Sequence, residues 1–253
     1  MRLDVFLFDK GLAKSRTEAK NLIQSSSVTV DGRVVTKPSF DIEETVSDVQ
    51  VNTDMIKYAS RAGFKLEAAL SAFDISVRSK KALDIGASSG GFTDCLLQNG
   101  ALHVIALDSG KDQLVDFLRR DGRVTVIENY NARYLRASDL QYIPDIIVMD
   151  VSFISATYII QPIFDCLASG GDFICLIKPQ FEVGKFGLSK GGIVKNDKLR
   201  KEAVGKVLDF ARAVGFCAMG VIESPIAGGD GNIEFLAHFI KEESSDEKDY
   251  TCP

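Results

Sequence analysis

Four charged residues sit where a sheet-based active site would place them. Asp150 directly follows the apolar run Asp145–Met149, and Lys178 directly follows Phe173–Ile177. Glu234 follows the glycine-rich turn Gly228-Gly229-Asp230-Gly231-Asn232, and Lys65 lies in an early helical segment. Ligands of open α/β sheets bind outside the carboxyl ends of the strands, so Asp150 and Lys178 face that crevice. Each residue also has a plainer reading alone. Asp150 could cap the next helix, Lys178 could snorkel from the sheet edge, Glu234 could be an edge carboxylate and Lys65 a surface amine. As a set, two amines and two carboxylates suit an oxygen nucleophile. A sugar hydroxyl is a very weak acid; it needs a base, or a cation that stabilises its alkoxide. A lysine is that base only when desolvation or a neighbouring cation lowers its pKa. Lys65 is a candidate neighbour of Lys178, with Asp150 and Glu234 orienting the amines.

The stretch Lys81-Ala82-Leu83-Asp84-Ile85-Gly86-Ala87-Ser88-Ser89-Gly90-Gly91-Phe92-Thr93 reads as a strand, a small-residue loop and a helix start. Its glycines let the backbone approach a ligand, and the helix N-terminus offers free N–H groups. Gly86, Ala87, Ser88, Gly90, Gly91 and Phe92 form the candidate cradle. The third position of the dinucleotide fingerprint G-x-G-x-x-G is Ser88, which disfavours a nucleotide-dependent oxidoreductase. That reading also gives the four charges no task. The form Asp-Ile-Gly-Ala-x-x-Gly-Gly-Phe instead resembles the S-adenosylmethionine loop of methyltransferases. Asp108 ends the next strand, 24 residues after Asp84, where an acid can accept from both hydroxyls of a ribose. Asp84 itself reads as structural or cofactor-adjacent.

Apolar spacing supplies the elements that must carry these residues. Strand-like runs at Ala82–Ile85, His103–Leu107, Val124–Ile127, Asp145–Met149 and Phe173–Ile177 alternate with helical segments at 91–99, 111–120, 155–167 and 197–214. This implies a mostly parallel sheet covered on both faces. Cys217–Ile222 and Glu234–Ile240 form an antiparallel pair on its edge. The first 55 residues read as a separate small α/β unit, with helices at 2–9 and from Ser15 and strands at 28–30, 33–35 and 46–51. Ser15 with Glu18 suits a helix cap and Asp31-Gly32 a hairpin turn. Residues 56–62 are a linker, 63–243 the large domain and 244–253 a flexible tail.

The chain has 253 residues, 45% apolar and 26% charged, ordinary for a globular protein. No apolar run spans a bilayer, and Asp4 spoils the N-terminus as a signal peptide. Five scattered cysteines argue against a disulfide framework or a zinc site and for a reducing, cytoplasmic compartment. The net charge of −5 averages over the surface and does not exclude a basic patch; Lys14, Arg16 and Lys20 cluster near the N-terminus.

Together these motifs resemble the TlyA (hemolysin A-type) ribosomal RNA methyltransferases over nearly the whole chain. Arg2-Leu3-Asp4, Gly11-Leu12-Ala13-Lys14-Ser15-Arg16 and Val28-x-Val30-Asp31-Gly32 resemble the RNA-binding domain named after ribosomal small-subunit protein four. Ser60–Leu66, Asp84–Asp94, Asp150–Ser155, Ile177–Glu182 and Gly231–Phe235 resemble the FtsJ-like 2′-O-methyltransferase domain. The resemblance implies a Rossmann-like methyltransferase sheet, S-adenosylmethionine as cofactor and a catalytic tetrad at Lys65, Asp150, Lys178 and Glu234. The cofactor's sulfonium would be a second cation beside Lys178. Implied too are a ribose 2′-hydroxyl in ribosomal RNA as substrate, usually of cytidine, and ribosomal RNA or subunits as partners, held through Lys14, Arg16 and Lys20. No metal or membrane is expected. Asp150-Val151-Ser152-Phe153 stands where methyltransferases of exocyclic amines carry Asp/Asn-Pro-Pro-Tyr/Phe. A second reading is an RNA-binding protein under a hemolysin name, with no or only indirect membrane activity.

Overall fold

In a computed structural model the chain divides into two compact units, Met1–Arg61 and Ala62–Pro253. The residues described are 1–13, 15–24, 27–43, 48–51, 57–184, 187–189 and 191–242. Lys14, the expected strand start at Val46, the first linker residue and the tail from 244 lie outside them.

In the first unit, α1 (Leu3–Asp9) and α2 (Arg16–Gln24) share a core with β1 (Val28–Val30) and β3 (Val49–Val51), while β2 (Arg33–Val34) is exposed. Leu3, Phe6, Leu7, Ala19, Leu22 and Ile23 recur at helical spacing and are the buried faces of the two helices. Ser15 caps α2, its Oγ accepting the Glu18 N–H at 3.1 Å. Strand β1 is central and antiparallel to both neighbours. Asp31 and Gly32 take φ of 50° and 74°, the left-handed pair that a two-residue hairpin requires.

The second unit is a seven-stranded sheet: β4 (Lys81–Ile85), β5 (His103–Leu107), β6 (Val124–Ile127), β7 (Ile146–Met149), β8 (Asp172–Ile177), β9 (Phe216–Glu223) and β10 (Phe235–Lys241). Its order is β6-β5-β4-β7-β8-β10-β9. The first five strands are parallel; β10 runs antiparallel to both β8 and β9. Ile146–Met149 is buried throughout, the mark of a strand covered on both faces. The helices are α3 (Ala62–Ala72), α4 (Gly91–Gln98), α5 (Asp116–Arg119), α6 (Thr157–Cys166), α7 (Pro179–Glu182) and α8 (Asp197–Val214). The helix expected over 111–120 shortens to α5. Asp112 sits at φ 55° and Val115 is extended, so the segment before α5 is loop. It brings Leu114 and Leu118 onto Gly90, where a Cβ would lie 2.3 Å from Leu118 Cδ1. Cys95, Cys166 and Cys175 are buried thiols, whereas Cys217 is disulfide-bonded, against the expectation drawn from the scattered cysteines.

Asp84, on the central strand, is fully buried, and the Thr93 hydroxyl donates to its Oδ2 at 2.6 Å. Desolvation pushes its pKa from 3.8 up to about 7; the Thr93 bond opposes the rise and the Asp150 charge adds to it. The folded state therefore keeps a proton that the unfolded chain loses above about pH 4. Stability falls as pH rises from about 4 to 7, by at most about 1.4 kcal/mol per unit. Asp84→Asn keeps the acceptor and removes the charge. Urea unfolding of that variant is expected to lose this slope and to show the variant more stable than wild type at alkaline pH. Equal slopes in the two proteins would count against the buried proton.

Candidate active site

At the carboxyl ends of β4, β5 and β7 lies a cleft of about 450 Å³. Ile85, Gly86 and Ser88 form one wall, Leu107 and Asp108 another, and Asp150–Ile154 a third. Gly86 and Ala87 donate their N–H groups to the Leu107 carbonyl at 2.8 and 3.1 Å, which seats the loop on β5. Gly86 has φ +84°, and a Cβ there would lie 2.2 Å from the Asp150 carbonyl oxygen, so only glycine fits. Asp108 is oriented by two backbone donors, Ser88 N–H at 2.8 Å and Gly110 N–H at 2.7 Å. Two donors leave a carboxylate with further acceptor capacity toward the cleft. Of the residues expected in the cradle, Gly86, Ser88, Asp108 and Asp150 line the cleft. Ala87, Gly90, Gly91 and Phe92 do not. They are buried where the loop turns into α4, and Phe92 packs in the core.

Two amines each meet a carboxylate, and one of these acids, Asp150, lines the cleft. Lys178 Nζ lies 2.5 Å from Asp150 Oδ1, as a charge contact, and makes its aligned hydrogen bond to Ser152 Oγ at 2.8 Å. Lys65 Nζ donates to Glu234 Oε2 at 2.5 Å, and both side chains are over nine-tenths buried. Strand register brings the pairs together. Phe235 is opposite Ile177 in the antiparallel β8–β10 ladder, so Glu234 comes opposite Lys178 one step beyond it. Asp150 ends the parallel neighbour β7, and α3 carries Lys65 to Glu234. The structure thus pairs each amine with a carboxylate. The glycine turn is shaped to the acid: a Cβ at Gly228 would lie 2.5 Å from Glu234 Oε1.

Other lining residues had no task in the sequence. Phe153 lines the cleft with 91% of its surface exposed and φ +66°. Its place three residues after Asp150 was a signal, but exposure is set by the loop conformation. Tyr130, Asn131 and Gln113 also line the cleft.

In the first unit, Asp4 is fully buried and accepts from Arg2 Nε at 2.8 Å and from the Arg16 guanidinium at 3.4 Å. The Arg2 hydrogen bond chiefly holds its carboxyl below the usual range, against the desolvation that raises it. Arg2 and Arg16 are half exposed, and Lys20 is exposed on α2. Arg2 and Arg16 thus meet on the same buried carboxylate.

This sheet order, with a glycine loop after the first strand and an acid after the second, defines a methyltransferase of the Rossmann-like class. Solved S-adenosylmethionine-dependent methyltransferases share the fold at 17–18% identity, with TM-scores of 0.52 and 0.54. The FtsJ-like methyltransferase model matches residues 58–241 and the S4 domain model residues 1–48. The chain belongs to the FtsJ-like methyltransferases of the TlyA type, which carry an S4 domain ahead of the catalytic one. It is 40% identical to the 16S/23S rRNA (cytidine-2′-O)-methyltransferase TlyA of Mycobacterium tuberculosis, over 93% of this chain and 88% of that one. It is 46% identical to Hemolysin A of Brachyspira hyodysenteriae, over 95% and 100%. A solved Streptococcus thermophilus structure under a hemolysin name superposes with a TM-score of 0.77 at 40% identity, covering 96% of this chain and 89% of that one. Among the described residues, no helix is long and apolar enough to cross a membrane.

Proposed function

We propose that this chain transfers a methyl group from S-adenosylmethionine to the ribose 2′-oxygen of a cytidine in ribosomal RNA, in the cytoplasm. The observation that supports this reading is the pairing of Lys178 with the cleft-lining Asp150, and of Lys65 with Glu234, which follows from the β8–β10 register one step from Lys178. A methyl donor of this kind supplies an electrophilic carbon on a sulfonium. The cleft suits such a group. Asp108 can take ribose hydroxyls, and Leu107, Ala132, Ile154 and Ile159 offer apolar surface for a base.

Lys178 is the group assigned to the sugar oxygen. Asp150 and Ser152 aim its amine, which takes the hydroxyl proton or stabilises the alkoxide as it forms. Lys65, neutralised by Glu234, adds a second donor aimed at the same strand ends. The test is incubation with labelled S-adenosylmethionine and ribosomal RNA, followed by mapping of the product. A methyl on a cytidine 2′-oxygen is expected; a methyl on a base, or none, overturns the proposal.

The S4 domain is the proposed docking module, gripping phosphates through Arg2, Lys14, Arg16 and Lys20. Arg16→Glu with Lys20→Glu is expected to weaken RNA binding and to flatten log K against log salt by about 1 to 2. An unchanged slope moves the docking surface elsewhere.

A further inference from the structure

We infer that Glu182 is a positioning residue of this site: it ties the loop leaving β7 to the helical turn that follows Lys178, and so sets Asp150 and Ser152 against the lysine. The inference rests on the proposed methyl transfer. Glu182 ends α7, and its side chain is 2% exposed. Oε1 accepts the Ala156 N–H at 2.7 Å, and Oε2 accepts the Ser155 hydroxyl at 2.6 Å and the Lys206 ammonium at 3.0 Å. Lys206, on α8, also donates to the Glu182 carbonyl at 3.2 Å.

The loop 150–156 is thereby held at both ends. Lys178 meets Asp150 and Ser152 at its start, and Glu182 meets Ser155 and Ala156 at its finish. Between the anchors Phe153 keeps φ +66°, a conformation a bulky residue holds only where its surroundings dictate it. Core packing cannot dictate it, because the ring is 91% exposed. The nearest aromatic support is Phe181, the residue before Glu182, with ring centroids 5.3 Å apart. Burying a carboxylate is unfavourable unless every lone pair finds a donor, and a packed apolar side chain would suffice merely to fill the space. Two donors from the loop and one from α8, all on a single carboxylate that follows Lys178, make it a clamp.

Glu182→Ala removes all three bonds; Glu182→Gln keeps an acceptor for the Ala156 N–H. The alanine variant is expected to lose about 100-fold in kcat, the scale of a small misplacement of reacting groups. Its KM for RNA is expected to move far less, and glutamine is expected to restore part of kcat. Hydrogen exchange is expected to rise in residues 151–156 while β7 and β8 stay protected. Unchanged exchange in that loop, or protection lost evenly across the sheet, overturns the inference. Should Glu182→Ala fail to fold, Ser155→Ala removes one anchor alone, and the same exchange comparison decides. If the wild type methylates no RNA, the functional reading fails while the exchange result still decides whether Glu182 clamps the loop.

Discussion

Lys178→Ala is expected to abolish methyl transfer while leaving the cofactor bound. The amine contacts Asp150 and Ser152, whereas the groups suited to an adenosine, Asp108 and the Gly86–Ser88 loop, are held by backbone hydrogen bonds that do not involve it. Loss of a positioned base lowers a rate by about 10²–10⁴. Binding of S-adenosylhomocysteine, measured by calorimetry, should therefore change little as turnover disappears. Lys178→Arg separates two roles for the side chain. A guanidinium keeps the positive charge and its donors but cannot give up a proton in a protein. Recovery of turnover with arginine would make Lys178 a charge stabiliser; continued inactivity supports the base. Normal turnover by the alanine variant removes Lys178 from the chemistry.

The parts of this fold that could be read in advance are those dictated by burial. Ile146–Met149 and Phe173–Ile177 appear as unbroken apolar runs because both faces of those strands are covered. The turn at Asp31-Gly32 was legible because few residue pairs accept two positive φ values. The places of Asp150 and Lys178 were legible because each directly follows a buried strand. The helix over 111–120 was misjudged because its residues permit a helix; the loop form depends on Leu114 and Leu118 reaching Gly90, a tertiary contact. Pairing was less legible still. Lys65 meets Glu234 across 169 residues, and Glu182 meets Ser155 across 27, so only the folded sheet selects those partners. The exposure of Phe153 likewise belongs to the loop and not to the residue type.

Replacing one member of the buried pair should be far worse than replacing both. Glu234→Ala leaves the Lys65 ammonium, 9% exposed, without its counter-charge. Breaking a buried ion pair from one side costs about 3–5 kcal/mol, because the stranded charge remains desolvated. The single variant is expected to show a much lower urea midpoint as well as no methyl transfer. Lys65→Met with Glu234→Leu removes both charges and keeps apolar volume at the α3–β10 contact. Such replacements are neutral or stabilising by about 1–4 kcal/mol. The double variant should fold like wild type, bind cofactor and still fail to methylate. A pair kept for stability would give the opposite pattern, with activity returning alongside the fold. An active double variant would therefore remove Lys65 and Glu234 from the reaction and leave Lys178 with Asp150 alone. The glycine at 228 leaves room for that carboxylate, since a Cβ there would lie 2.5 Å from Glu234 Oε1.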